Sequence, residues 1–92
     1  MKTISIQIGN SDDKLTQAEW SQFVARVGSY VRAAGHIHFF ACSGGECPWQ
    51  NAAWIVVCDS DYIEKLKREL SELRVIFKQE SVAWMEGETQ FV

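Results

Sequence analysis

The sequence predicts an α+β sandwich in which two helices cover one face of a four-stranded antiparallel sheet. Three observations support this prediction. Apolar residues alternate in short segments that suit strands, they recur at helical spacing in two longer segments, and the segments follow the order β-α-β-β-α-β. The 92 residues, 47% of them hydrophobic, are enough for one domain over residues 1–92. Right-handed crossovers then favour the ferredoxin-like split β-α-β sandwich, with sheet order 4-1-3-2.

The first three elements are clearly marked. Isoleucines alternate with polar residues over residues 4–8, which is typical of a strand with one buried face. Thr16 and Glu19 have the spacing of a capping box, so a helix is expected to begin there and to end at Gly35. Alternation over residues 36–42 predicts the second strand. The apolar stripe of the helix consists of Trp20, Phe23, Val24, Val27 and Val31.

The second half of the chain repeats the strand-helix-strand pattern. Residues 52–58 are rich in aromatic and β-branched side chains and predict the third strand. Asp61, with Glu64 three residues later, is expected to cap a second helix. Residues 82–85 predict the fourth strand, which residues 89–92 are expected to extend past a bend at Gly87. The apolar stripe of the second helix consists of Ile63, Leu66, Leu70, Leu73 and Phe77.

Charge and cysteine content narrow the classes of function. The net charge of −3 and the lack of a basic stripe argue against binding to long nucleic acid. Three cysteines, an odd number, without a signal peptide ahead of them predict free thiols in a reducing cytoplasm. The longest apolar run is too short to span a membrane. We therefore expect a cytoplasmic protein without a membrane segment.

The predicted topology brings three polar segments to one edge of the sheet, which we call the polar edge. They are residues 10–14, 46–51 and 78–81, and the amino end of the first helix points to the same place. Each segment alone is also what an ordinary turn contains, since Asn, Ser and Asp cap backbone N–H groups. The candidate ligand contacts are Asn10, Ser11, Asp12, Asp13, Lys14, Trp49, Gln50, Asn51 and Ser81.

We expect these candidate residues to contact different parts of a small anionic ligand. Lys14 and the helix N-terminus would meet phosphate, and Trp49 would stack on a flat ring. The amide and carboxylate side chains of Asn10, Asp12 and Gln50 would hydrogen-bond ribose or base, as would Asn51. No cofactor is expected.

The sheet face opposite the helices is the second candidate surface. Its expected residues are Ser5, Gln7, His36, His38, Phe40, Trp54, Val56 and Trp84. This mixture is too apolar to remain in water, so we expect a homodimer or higher homo-oligomer that forms through it. Base stacking on the aromatic rings is the alternative, which the acidic charge disfavours.

Catalytic and metal chemistry find weaker support. His36 and His38 with Cys42, Cys47 and Cys58 match no zinc spacing, so no metal site is predicted. Cys47 lies in a loop, but nothing near it in sequence would activate its thiol. Asp12 and Asp13 end a central strand, and in a dimer paired aspartates at that position are able to hold a divalent ion and cut phosphodiesters.

Three motifs carry a resemblance to a known group of proteins. They are I-G-N-S-D-D-K-L-T-Q-A-E-W over residues 8–20, P-W-Q-N-A-A-W over residues 48–54 and E-S-V-A-W over residues 80–84. Together they resemble a family of short, functionally unassigned proteins of bacterial and phage genomes. The resemblance covers most of the chain and implies no activity. Phages also make small oligomeric proteins that sequester nucleotide signals, which is an analogy of size and context.

Three hypotheses of function follow, and the sequence favours binding over catalysis. The first is a non-catalytic homo-oligomer that binds or sequesters a small anionic ligand of the nucleotide type. The second is a metal-dependent nuclease that uses Asp12 and Asp13 across a dimer. The third is a protein-interaction module that uses the aromatic open face and binds no small molecule.

Overall fold

The computed structural model describes residues 1–10, 13–43 and 50–92, and its elements follow the predicted order. The strands form one antiparallel sheet in the order β2-β3-β1-β4, so both the α+β fold class and the predicted sheet order are confirmed. The elements are β1 (Lys2–Gly9), α1 (Gln17–Ala34), β2 (Gly35–Cys42), β3 (Asn51–Cys58), α2 (Ser60–Ile76) and β4 (Ala83–Gly87).

The core lies between the sheet and the two helices. The isoleucines of β1 point into it, and Ile4 and Ile6 are fully buried. Both predicted helical stripes are buried except Val24, which is half-buried. The rings of Phe23 and Phe77 stack at 4.9 Å between centroids and join the two helices. Burial of such side chains contributes about 1.5–3 kcal/mol each, which makes this layer the main source of stability.

The predicted facing of β3 is wrong. Ile4 lies opposite Val56 and Ile6 opposite Trp54, and directly opposed residues of antiparallel strands share a face. Trp54 and Val56 therefore lie on the helix side, where both are buried. Trp84 also lies opposite Ile6 and joins them. Both alternating sets of β3 are apolar, so the pattern of this strand alone does not tell the two faces apart.

A β-bulge in β2 corrects the expected positions of Phe40 and His38. The register shifts between Ile37 and Phe39, so His38 is the extra residue. Phe40 consequently lies opposite Trp54 on the helix side, with 5.0 Å between ring centroids. Phe39 lies opposite Ile55 on the other face.

The sheet surface away from the helices, which we call the open face, carries apolar side chains among a few polar ones. Its central row runs across all four strands as Phe39, Ile55, Ser5 and Met85. One flanking row is Ala41, Ala53, Gln7 and Ala83. The flanking row on the other side of the central row is His36, Val57, Thr3 and Gly87. His36, Ser5 and Gln7 are thus where the sequence predicted them. No Asp, Glu, Lys or Arg occupies a paired position on this face of the described sheet.

The capping box of α1 is confirmed. The Glu19 N–H donates to the Thr16 hydroxyl at 3.2 Å, and the Thr16 N–H donates to the Glu19 carboxylate at 2.9 Å. These bonds from Thr16 lower the pKa of the Glu19 carboxyl. At the other end, Gly35 is required by a close approach. A Cβ there would lie 2.3 Å from the Val57 carbonyl oxygen, so any other residue would push β2 away from β3.

The start of α2 differs from the prediction. Asp59 is the N-cap, and its side chain makes no capping hydrogen bond. The helix begins at Ser60, directly after β3, so Asp61 lies in the first turn instead. A carboxylate there still favours the helix through the macrodipole.

Backbone hydrogen bonds define the ends of α2 and β4. Helix α2 closes with a Schellman pair, in which Gln79 N–H donates to Arg74 O and Lys78 N–H donates to Val75 O. Lys78 takes the left-handed conformation, with φ of 59°, where glycine is usual. The predicted extension over residues 89–92 is wrong. The pairing of β4 with β1 ends at Gly87, opposite Thr3, and residues 88–92 form no strand.

Candidate functional site

Asn10 joins the first two segments of the polar edge. Its side-chain amide donates to Leu15 O at 3.0 Å and to Gln50 Oε1 at 2.7 Å, and its Oδ1 accepts from Leu15 N–H at 2.9 Å. Its backbone N–H donates to Gln50 O at 3.0 Å. Asn10 is only 8% exposed. Because its polar atoms are already bonded within the chain, the structure places Asn10 as a brace beneath the edge.

Gln50 carries the same network to the start of α1. Its Nε2 donates to Gln17 Oε1 at 2.9 Å, while its Oε1 accepts from Asn10. The turn after β1, the approach to β3 and the first turn of α1 are therefore linked through side-chain amides. This network orders the polar edge and holds it against the helix.

The third predicted segment reaches the same edge through Lys14. Its Nζ lies 4.0 Å from Glu80 Oε1, with the two side chains 37% and 79% exposed. A pair this exposed contributes at most about 1 kcal/mol. The segments thus meet as the topology predicted, and Lys14 keeps much of its surface open to solvent.

The remaining predicted contacts are spread around this edge. Asp13 is exposed with φ of 50°, and its N–H donates to Asn10 O. Asn51 is exposed at the start of β3, where its backbone bonds to Ser43 at 2.8 and 2.9 Å. Ser81 is exposed and lines a groove elsewhere on the helix side. The predicted contacts Ser11, Asp12 and Trp49 lie outside the described residues.

The groove that contains Ser81 lies between α2 and β4 and has a volume of about 380 Å³. Lys67 and Arg74 from α2 and Trp84 from β4 line it. The Lys67 ammonium lies 5.3 Å from the centre of the Trp84 indole, and the indole N–H donates to Glu86 at 3.4 Å. Both of these polar groups therefore already have partners within the chain.

Sequence reasoning missed a larger groove of about 550 Å³ between α1 and β2, which we call the α1–β2 groove. Its lining includes Arg32, Gly28, Phe40 and Trp54. The one signal in the sequence was Gly28, a glycine in a helix interior, where it is unfavourable by about 1 kcal/mol relative to alanine.

The described part of the chain contains two cysteines, of which Cys58 is buried and Cys42 is exposed. Burial, reinforced by Asp59, raises the pKa of the Cys58 thiol, which donates to Ala34 O at 3.3 Å. Cys42 is exposed at the far end of β2. Within residues 1–10, 13–43 and 50–92, no group of three His, Cys, Asp or Glu side chains is arranged to hold a metal ion. Cys47 lies outside these ranges.

The described part of the chain contains two helices, α1 and α2. Neither of these described helices combines the length and the apolar character needed to cross a bilayer.

The fold of this chain is similar to that of a solved structure. No family model and no curated protein matches the chain. A dimeric ferredoxin-like protein of unknown function from Thermobifida fusca has a similar structure, with a TM-score of 0.65 over 97% of this chain and 92% of that one. The two sequences are 11% identical. At this identity the similarity shows the fold alone, which is ferredoxin-like.

Proposed function

We propose that this protein is a non-catalytic homodimer that binds a small anionic ligand. The proposal has two parts, the assembly and the ligand. The open face carries the first part, and two places that each hold one cationic side chain, Lys14 and Arg32, carry the second.

The observation that carries the assembly is the composition of the open face. Phe39, Ile55 and Met85 lie in one row and are 52%, 37% and 68% exposed. One flanking row is largely alanine, which allows a second sheet to approach to about 10 Å. A sheet face that remains in water normally alternates to polar and charged residues. A second copy is a suitable partner, because no Asp, Glu, Lys or Arg at a paired position of the described sheet would repel the same residue of that copy.

The structural neighbour supports the same assembly. It is a dimeric protein of the same fold, and the matched region covers nearly all of both chains. We therefore propose a two-fold dimer in this protein as well, with the open faces packed together and the helices outside.

The ligand part is supported by two groups of donors in the described residues. Lys14 lies at the polar edge, among three segments that meet there. Arg32 lies at the α1–β2 groove, beside an indole. Both places suit an anion attached to a flat ring, and a nucleotide is the specific form of this hypothesis.

A thermal-shift screen tests the ligand part. Mono-, di- and cyclic nucleotides are added to the purified protein with and without magnesium. A ligand at a hundred times its Kd should stabilise the fold by about 2.7 kcal/mol, which raises the Tm of a domain of this size by several degrees. We expect a shift that does not need magnesium. If no nucleotide raises the Tm, the nucleotide form of the proposal is wrong.

The two alternatives remain predictions. The nuclease hypothesis depends on Asp12, which lies outside the described residues, and on the exposed Asp13. Cleavage that needs metal and is lost in Asp12→Asn would support it. The interaction-module hypothesis uses the open face, whose exposed apolar residues are Phe39, Ile55 and Met85 instead of Trp54. A monomer in solution that retains a different protein on this face would support it.

A further inference from the structure

We propose that the α1–β2 groove binds a small oxyanion, a carboxylate or a phosphate, carried on a flat apolar body. This inference rests on the proposed function in one respect, that the protein binds a small anion. It places that anion in the groove, away from the polar edge that the sequence indicated.

The first support is an indole N–H that has no hydrogen-bond partner among the described residues. Trp54 is only 2% exposed, and none of the described residues accepts a hydrogen bond from its Nε1. Every described side-chain nitrogen that is inaccessible to solvent has a hydrogen-bond partner. Trp54 Nε1 has none among these residues, so it is accessible to solvent, and Trp54 lines the groove. The indole of Trp84, by contrast, is bonded to Glu86. The indole N–H of a buried tryptophan usually has a hydrogen-bond partner, and a ligand oxygen in the groove would supply one to Trp54.

The second support is a guanidinium that faces the same space. A Cβ atom built on Gly28 would lie 3.5 Å from Trp54 Nε1 and 3.7 Å from Arg32 Nη1. The two nitrogens thus converge on one point in the groove. No carboxylate of the described residues forms an ion pair with Arg32. A charged fork and a neutral N–H around one point suit an oxyanion, because two oxygens can accept from both donors.

The walls of the groove define the rest of the ligand. Val24, Ala25 and Ile37 are apolar, and the Phe40 and Trp54 rings lie 5.0 Å apart with a tilt of 33°. The volume of about 550 Å³ falls within the range of small-molecule sites. An aromatic or other flat body fits such walls, while its anionic end reaches the two donors.

Gly28 provides the room for the anionic end. A methyl group at this position would meet its nearest neighbours at 3.5, 3.7 and 3.8 Å, which are ordinary contacts. Gly28→Ala therefore fits the unliganded fold, and alanine is the better helix former. The same methyl would occupy the point where the two donors converge. This variant should remain folded and lose the ligand.

The test follows the side-chain N–H signals of the four tryptophans by ¹⁵N–¹H NMR. The Trp54 signal is assigned from the spectrum of Trp54→Phe. Indole-3-acetate and AMP are the probes, titrated to about 10 mM, a concentration that saturates even a millimolar site. Indole-3-acetamide, which lacks the negative charge, is the control for indole-3-acetate.

We expect at least one anionic probe to move the Trp54 signal saturably, and indole-3-acetamide to bind at least about tenfold more weakly than indole-3-acetate. Gly28→Ala and Arg32→Gln should each weaken the anionic probe by about tenfold or more. Arg26→Gln removes an arginine of the same helix that lies over Phe77, 5.9 Å from its centre, and should leave binding unchanged.

The outcomes separate this inference from the proposed function. If a probe binds but leaves the Trp54 signal in place, resists Gly28→Ala and is lost in Lys14→Ala, the site is at the polar edge. The inference is then wrong while the proposed function stands. Equal binding of indole-3-acetate and its amide in the groove would also overturn it. If neither probe moves any tryptophan signal or raises the Tm, both the inference and the ligand part of the proposed function are contradicted.

Discussion

Ile55→Asp is expected to convert the proposed homodimer into folded monomers of 10.5 kDa. Ile55 lies on the inner strand β3, in the middle of the apolar row of the open face, and is 37% exposed. In the proposed dimer an aspartate there would be buried in the interface without a cation nearby, which is strongly unfavourable. We expect the dimer Kd to rise by about 100-fold or more. Multi-angle light scattering over a concentration series measures this change.

The control for this variant is Val75→Asp. Val75 is 63% exposed on α2, outside the open face, so it receives the same substitution at an exposed apolar position. Wild type and Val75→Asp should both give a mass of about 21 kDa, twice that of the chain. A dimer that survives Ile55→Asp but not Val75→Asp would place the interface on the helices. Circular dichroism confirms that each variant remains folded.

Asn10→Ala is expected to lower the free energy of unfolding by about 2–4 kcal/mol. The substitution removes three side-chain hydrogen bonds at once and leaves the N–H and C=O of the buried Leu15 without their partners. Leaving buried polar groups unsatisfied costs more than the bonds themselves contribute. In a domain of this size the Tm should fall by about 10 °C or more. Urea denaturation measures the loss directly.

Gln50→Ala separates the brace from the rest of the polar edge. It removes the bonds to Asn10 and Gln17 but leaves both bonds between Asn10 and Leu15 in place. Gln50 is only partly buried, so water can replace its amide, and the expected loss is below about 1 kcal/mol. Equal losses for Gln50→Ala and Asn10→Ala would contradict the assignment of Asn10 as the main brace.

The fold was predictable because its periodic signals agree with one another. Isoleucines alternate over residues 4–8, and the stripes that contain Phe23 and Leu66 keep helical spacing, so element type and order followed directly. The facing of β3 was not predictable from its own residues, because Trp54 and Ile55 head two alternating sets that are both apolar. Only the pairing with β1 decides between them. The bulge at His38 then exchanges the faces on which the following residues of β2 lie, and nothing in the local sequence marks this bulge.

The candidate site was predictable in outline and not in detail. The topology alone places Lys14 and Gln50 at one edge, because the end of β1 lies opposite the start of β3. It did not reveal that Asn10 and Gln50 bond to each other, which depends on side-chain geometry. The α1–β2 groove was missed because its donors, Arg32 and Trp54, are far apart in sequence. They come together only when β3 turns its tryptophan toward the helices.

The central claim is that this protein holds a small anion without consuming it. Equilibrium dialysis with indole-3-acetate and with AMP, followed by mass spectrometry of each recovered probe, tests it most directly. We expect saturable retention of at least one probe, without magnesium, and recovery of that probe unchanged. Retention that requires magnesium and returns a cleaved product would contradict it, and so would retention of neither probe at about 1 mM, near the weak end of specific binding.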